Sequence, residues 1–214
     1  MPGAKPPSAL TKYELQARKR GHVVIAGVDE AGRGSLAGPV VAAAVILPVG
    51  CLLPGVQDSK KLTPAEREQL YHEIRAAAQV VAVAHCQADV VDAVNILRAT
   101  HIAMRNALEQ LSPTPDLVLV DGLFVPELGF PQVAIVKGDG KSISIAAASI
   151  IAKVERDAMM RELDAQYPGY GFAEHKGYGT AQHRRALRTL GPCPIHRRSF
   201  APVQLCAQMT LPVE

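Results

Sequence analysis

The stretch Val23 to Gly38, V-V-I-A-G-V-D-E-A-G-R-G-S-L-A-G, constrains this chain more than any other. Apolar and small residues lead into two adjacent carboxylates, Asp29 and Glu30, and a glycine-rich turn follows that carries one arginine, Arg33. A strand that leaves a core and ends in Asp-Glu has to compensate those charges, because buried carboxylates are costly without a cation or dense hydrogen bonding. Neighbouring strand residues face opposite sides, so the pair serves one site only if the strand twists or ends at Glu30, with Ala31-Gly32 as the natural break. The ordinary alternative is a solvated loop that happens to begin with two acids, and the rest of the chain has to decide between them.

The acid-ended strand recurs. Leu117-Val118-Leu119-Val120 runs into Asp121 and Gly122, and Val133-Ala134-Ile135-Val136-Lys137-Gly138 runs into Asp139. A strand apolar on both faces belongs in the interior of a helix-covered sheet, and the carboxyl ends of such strands are where α/β sheets place their chemistry. Val40 to Leu47 reads as a strand antiparallel to the first, because a short glycine connection joins them. Val80 to His85 reads as a further strand. Helices are expected over 11–20, 64–78, 88–111, 142–166 and 180–190, the second opened by Thr63-Pro64-Ala65-Glu66. His101 falls in the apolar stripe of 88–111 and reads as a packed core residue.

Two nucleotide-binding readings fail on spacing. Gly32-x-Gly34-x-x-x-Gly38 is one residue too long for a dinucleotide fingerprint and runs into a strand instead of a helix. Lys137 to Ser142 resembles a triphosphate loop, but the pattern requires glycine where Ile135 stands.

The 214 residues suit one domain with a terminal appendage. No apolar run reaches membrane-spanning length, and the N-terminus lacks a signal-peptide core, so a cytoplasmic protein without membrane association is expected. Four widely spaced cysteines suggest neither a zinc site nor a disulfide framework. The net charge of +3 conceals a segregation: +4 over residues 1–22, +4 over 171–214 and −5 between them. An acidic middle with basic ends suits metal cations at the centre and phosphates at the periphery. Ser149, Lys153 and Arg156 share one helix face suited to phosphate oxygens, a solvated face paired with Glu155 or Asp157 being the alternative. Tyr178, flanked by glycines in a basic loop, reads as a stacking residue.

Four converging carboxylates, Asp29, Glu30, Asp121 and Asp139, call for hard divalent cations. Two Mg²⁺ or Mn²⁺ ions roughly 4 Å apart can activate water against a phosphodiester. At this point six motifs taken together resemble the bacterial ribonuclease HII family. They are Asp29 to Gly34, Asp58-Ser59-Lys60-Lys61-Leu62, Val120-Asp121-Gly122, Lys137-Gly138-Asp139, Ala147 to Asp157, and His175-Lys176-Gly177-Tyr178.

The resemblance implies an α/β ribonuclease H-like fold, with a mixed five-stranded sheet flanked by helices and a C-terminal helical extension. It divides the chain into a tail and short basic helix (1–20), a catalytic domain (21–167) and a basic substrate-contacting extension (168–214). It implies a monomeric, metal-dependent endonuclease that cuts the RNA strand of RNA/DNA hybrids and cleaves 5′ of single ribonucleotides in duplex DNA. Asp29, Glu30, Asp121 and Asp139 match the family's metal-binding acids, and Gly32, Arg33, Gly34 and Tyr178 its junction readers. Lys60, Lys61, Ser149, Lys153 and Arg156 would position the nucleic-acid backbone. A different two-metal carboxylate nuclease and a noncatalytic hybrid-binding module are the rivals. His183 and His196 have no role legible in the sequence.

Overall fold

In a computed structural model describing residues 9–56, 59 and 62–209, five strands form one mixed sheet. Helix α1 (Lys12–Lys19) leads into β1 (Ile25–Ala31), which pairs antiparallel with β2 (Val40–Ile46). After α2 (Pro64–Ala77), β3 (Val80–Cys86) extends the antiparallel half. Helices α3 (Ala88–Val94) and α4 (Ile96–Glu109) precede β4 (Leu117–Asp121) and β5 (Gln132–Ile135), which continue the sheet in parallel on the far side of β1. The order β3-β2-β1-β4-β5, three antiparallel strands followed by two parallel ones, is the mixed five-stranded sheet expected. Four helices complete the described residues: α5 (Ile143–Gln166), α6 (Phe172–His175), α7 (Ala181–Leu190) and α8 (Ala201–Met209). No helix among the described residues is long and apolar enough to cross a membrane.

Period-two alternation assigns each strand residue its face. On β1, Ala26 and Val28 join the core under α4, while Ile25 packs with Ile145 of α5. On β2, Ala42, Ala44 and Ile46 face α4, and Ala43 and Val45 face α5 and α2, so the strand is buried along its whole length. Gly27 makes the contact with α5 possible. A Cβ there would lie 2.2 Å from the carbonyl carbon of Ser144 and 2.5 Å from the amide nitrogen of Ile145, so strand backbone rests directly on helix backbone. The start of α5 is fixed from a second side by α1. Glu14 Oε1 accepts from Ser142 Oγ at 2.5 Å and from the Ser144 amide at 3.0 Å, a carboxylate at the positive end of a helix. The basic N-terminal helix is therefore docked against the start of α5.

The expected helix over 88–111 is two helices. Asn95 sits at φ 70 and ψ 163, a backbone conformation outside the helical region, and its side chain accepts from the Arg98 amide at 3.1 Å, ending α3 and capping α4. β1 runs past both acids to Ala31, so its break falls at Ala31-Gly32 as expected. Lys60 and Lys61 lie outside the described residues.

Candidate active site

The carboxyl ends of β1 and β4 lie side by side, with Val28 opposite Val120. Because β1 does not stop at Glu30, alternation sends Asp29 toward α5 and Glu30 toward α4, and the sheet edge, not a shared face, brings the acids together. Asp29 is 4% exposed; it accepts from the Glu30 amide at 2.7 Å and hydrogen-bonds Ser149, whose Oγ lies 2.9 Å from Ser59 Oγ. Burial, then the charges of Glu30 and Asp121, hold the Asp29 carboxyl well above the usual carboxylate range. Asp121 Oδ1 accepts from the Gly138 amide at 2.6 Å. The next residue, Asp139, is buried within a 3₁₀ turn, Gly138–Gly140, entered through Lys137 at φ 56.

Among the described residues no group of three or more His, Cys, Asp or Glu is drawn up into a ready-made metal cage. The donor set is nonetheless all oxygen, which suits Mg²⁺ or Mn²⁺. Burial first, and then the like charges of Glu30 and Asp121, disfavour the Asp29 anion, and a bound cation would offset both. These residues fit a divalent ion that gathers them.

The glycine turn after Ala31 has an inner and an outer side. Gly32, at φ +93, is closed from behind: a Cβ would stand 1.9 Å from Arg156 Nε. Gly34 has nothing within 4 Å and faces open space. Between them Arg33 has a half-exposed side chain with Nη1 3.2 Å from Glu30 Oε1. Two buried arginines pin this turn. Arg156 donates to the carbonyls of Pro39 (2.9 Å), Lys176 (2.9 Å) and Ala37 (3.2 Å), and Arg197 donates to those of Gly38 (3.0 and 3.1 Å) and Arg33 (2.9 Å). Burial and the neighbouring Arg156 charge push Arg197 down to about 9. Tyr178 bridges to Ser35 of the same turn, is 37% exposed, and carries the Lys153 ammonium 5.7 Å and the Arg156 guanidinium 5.4 Å from its ring centre.

A family model for ribonuclease HII matches residues 26–203. The chain belongs to the ribonuclease HII family. It is an endoribonuclease that hydrolyses the RNA strand of RNA/DNA hybrids, with the divalent-metal dependence typical of the family. It is 57% identical over 201 residues to a ribonuclease HII of Pelobacter propionicus, covering 94% of this chain and 92% of that one. A ribonuclease HII of Geobacter sulfurreducens is 57% identical over 200 residues, again covering 94% and 92%. Among solved structures, ribonuclease H2 from Pyrococcus horikoshii superposes with a TM-score of 0.75 at 26% identity, covering 87% of this chain and 98% of that one. Ribonuclease HII from Archaeoglobus fulgidus, solved in complex with PCNA, gives 0.72 at 32% identity, covering 83% and 95%. An RNase HIII solved with Mn²⁺ shares the fold, at 0.70 and 18% identity over 91% of this chain and 72% of that one.

Within this ribonuclease the expected phosphate stripe on α5 divides. Arg156 is fully buried and spends its donors on backbone carbonyls, so it does not present to a phosphate. Ser149 is 4% exposed and is bonded to Asp29 and Ser59 instead of facing solvent. Lys153 remains half-buried at the surface, paired with Asp157 at 2.6 Å as the alternative reading held. His101 is not a core residue: it lines a cleft with Glu30, Arg33, Thr100, Asp121 and Leu123, and burial with the charges of Arg33 and Arg105 lowers its basicity. Sequence reasoning gave no role to Arg197, nor to Ser59 and the Gly138 amide, although the last two stand within quoted motifs.

Proposed function

We propose that Asp29, Glu30, Asp121 and Asp139 hold two divalent ions, Mn²⁺ or Mg²⁺, and that the enzyme cuts 5′ of a single ribonucleotide in duplex DNA as well as within longer hybrids, leaving 3′-hydroxyl and 5′-phosphate ends. The observation that carries this reading is the Asp29 carboxyl, buried against Glu30 and Asp121 where two strand ends meet. When bound, such ions supply an activated water and a charge clamp on the phosphodiester oxygens.

The chain's own groups prepare that edge. Amide donors from Glu30 and Gly138 fix the carboxylates of Asp29 and Asp121, and the Ser149 hydroxyl orients Asp29. Arg33, half-exposed beside Glu30, suits the neighbouring phosphate. Gly32 gives the turn its left-handed backbone, and the open side of Gly34 lets main-chain groups approach a ribose closely enough to read its 2′-hydroxyl. Tyr178 stacks on the following deoxyribose. Lys60, Lys61 and Lys153 hold the backbone, giving salt-sensitive affinity without base specificity. In this division residues 21–167 carry the acids and the glycine turn, 168–214 form the basic extension that contacts the substrate through Tyr178, and the enzyme works as a cytoplasmic monomer.

The test is labelled duplex DNA with one ribonucleotide, incubated with Mg²⁺ or Mn²⁺ and then with chelator. Cleavage 5′ of the ribonucleotide, abolished by chelator and reduced on the order of a thousandfold by Asp121→Asn, is expected. Activity undiminished in Asp121→Asn would remove the acid cluster from the mechanism.

A further inference from the structure

The C-terminal extension buries three histidines, His175, His183 and His196, that none of the chemistry above employs. They surround Phe172, and the rings of His175 and His183 stack 4.4 Å apart. Their partners fix which nitrogen carries each hydrogen, because an amide N–H can only donate and a carbonyl can only accept.

At one end the Cys193 amide donates to His196 Nδ1 at 3.0 Å. His196 therefore carries its hydrogen on Nε2, which faces His183 Nε2 at 3.1 Å. That nitrogen of His183 must accept, so its hydrogen is on Nδ1, 3.0 Å from the carbonyl oxygen of Tyr178. The chain of bonds has one direction, from the Cys193 amide through two imidazoles to Tyr178. His175 works beside it: Nε2 lies 2.9 Å from the Tyr170 carbonyl and so donates, leaving Nδ1 to accept from the Gly177 amide at 3.2 Å. The Gly177 amide and the Tyr178 carbonyl, on either side of the peptide unit that joins the two residues, are thus held by imidazoles, while within that unit Leu36 of the glycine turn donates to the Gly177 carbonyl at 2.8 Å.

We propose that His183 and His196 are positioning residues for ribonucleotide recognition, an ordered relay that sets the main chain of Tyr178 against the Gly32–Gly38 turn. The inference rests on the reading of Tyr178 as the junction sensor. The relay requires neutral imidazoles, since a second hydrogen on His183 would oppose two donors across 3.1 Å. Burial lowers the basicity of both rings, in agreement.

Two conservative variants separate positioning from bulk stability. An asparagine amide reaches the place of Nδ1 and a glutamine amide that of Nε2. His183→Asn keeps a donor for the Tyr178 carbonyl; His183→Gln keeps the group facing His196 and loses that donor. The readout is the ratio of kcat/KM on duplex DNA with one ribonucleotide to kcat/KM on a uniform RNA/DNA hybrid, with Tyr178→Ala measured alongside.

Loss of one net hydrogen bond lowers the ratio about five- to tenfold in His183→Gln, while His183→Asn stays within about threefold of wild type. A ratio unchanged in His183→Gln, or equal losses on both substrates, overturns the relay. An unchanged ratio in Tyr178→Ala overturns the sensor reading on which the relay rests, and a ratio that falls in Tyr178→Ala but not in His183→Gln overturns the relay alone. Should the variants not fold, ¹⁵N spectra of the wild-type imidazoles decide. Hydrogen on His183 Nδ1 and His196 Nε2 supports the relay, and the opposite tautomers refute it.

Discussion

Gly32→Ala probes the contact on which the recognition turn depends. The new Cβ would lie 1.9, 2.5 and 2.7 Å from Nε, Cδ and Cζ of Arg156. These are not the free end of a flexible side chain, because the guanidinium is held by the carbonyls of Pro39, Lys176 and Ala37. Relief requires breaking at least the Nε bond to Pro39. Overpacking of this kind costs about 1–3 kcal/mol, and an alanine at φ +93 adds about 1–2 kcal/mol. A total of about 2–5 kcal/mol is expected, roughly 4–20 °C in melting temperature for a chain of this size. Arg156→Ala strands three carbonyls at about 1–3 kcal/mol each, partly offset by no longer burying a charge, for a net of about 3–5 kcal/mol. In the double variant the steric part of the Gly32 cost vanishes and only the backbone part remains. The two substitutions should therefore be non-additive, the pair being about 2 kcal/mol less destabilised than the sum. Denaturant unfolding of the four proteins in chelator measures this without reference to activity. Additivity within about 0.5 kcal/mol, or a neutral Gly32→Ala, would refute the close approach.

Asp29→Asn should raise the melting temperature in chelator while abolishing cleavage. The folded carboxyl is held above its ordinary value, so the stability it contributes at low pH is lost as pH rises from the unfolded value of 3.8 through the raised folded one, and at neutral pH the anion is a cost. A melting temperature in chelator lower than that of the wild type would contradict this. His196 is lowered to about 4 by burial first, then by the charge of His183, against a Cys193 hydrogen bond that raises it. Its neutral form favours the fold above pH 6.5, and about 3 kcal/mol of that stability is lost as pH falls from 6.5 to 4. Imidazole NMR should show a His196 midpoint near 4, and one near 6.5 would contradict its burial as a neutral ring. Gly27→Ala pushes backbone against backbone where no side chain can yield, so it should cost more than about 3 kcal/mol and deplete folded protein. Wild-type stability in that variant would show that α5 slides freely on β1.

Asp29, Glu30 and Asp121 stand at strand ends as expected, because a local run of apolar residues leads into each carboxylate, whereas Asp139 lies beyond the end of β5 at Ile135, within a 3₁₀ turn. The orientation of α5 was not legible in this way. Ser149, Lys153 and Arg156 do share a face, but the first part of this helix is buried all round, from Ile143 to Ala152 without a break. Without a polar side, helical spacing groups residues and leaves open whether the group points to solvent or inward. The stripe across 88–111 failed differently. Steps of three and four persist through Asn95 although the backbone turns there, and the signal that mattered was a capping asparagine inside the run. His175, His183 and His196 meet only through tertiary packing, and no spacing announces that.

The buried arginines Arg156 and Arg197 show why charge alone misled. A turn of glycines leaves its carbonyls unpaired by helix or sheet, and once that turn is packed inside, each carbonyl must find a donor. Here the carbonyls of Arg33, Ala37, Gly38 and Pro39 take theirs from Arg156 and Arg197. Guanidinium suits the task because its donors fan across one plane and reach several carbonyls at once. An arginine far along the chain from a buried glycine turn thus has two destinations, a phosphate outside or a carbonyl inside. The turn makes the inner one the stronger claim, since a phosphate contact can be made by water in its absence and a buried carbonyl contact cannot. The recognition proposed for Gly34 and Tyr178 would then depend on two arginines that are themselves buried.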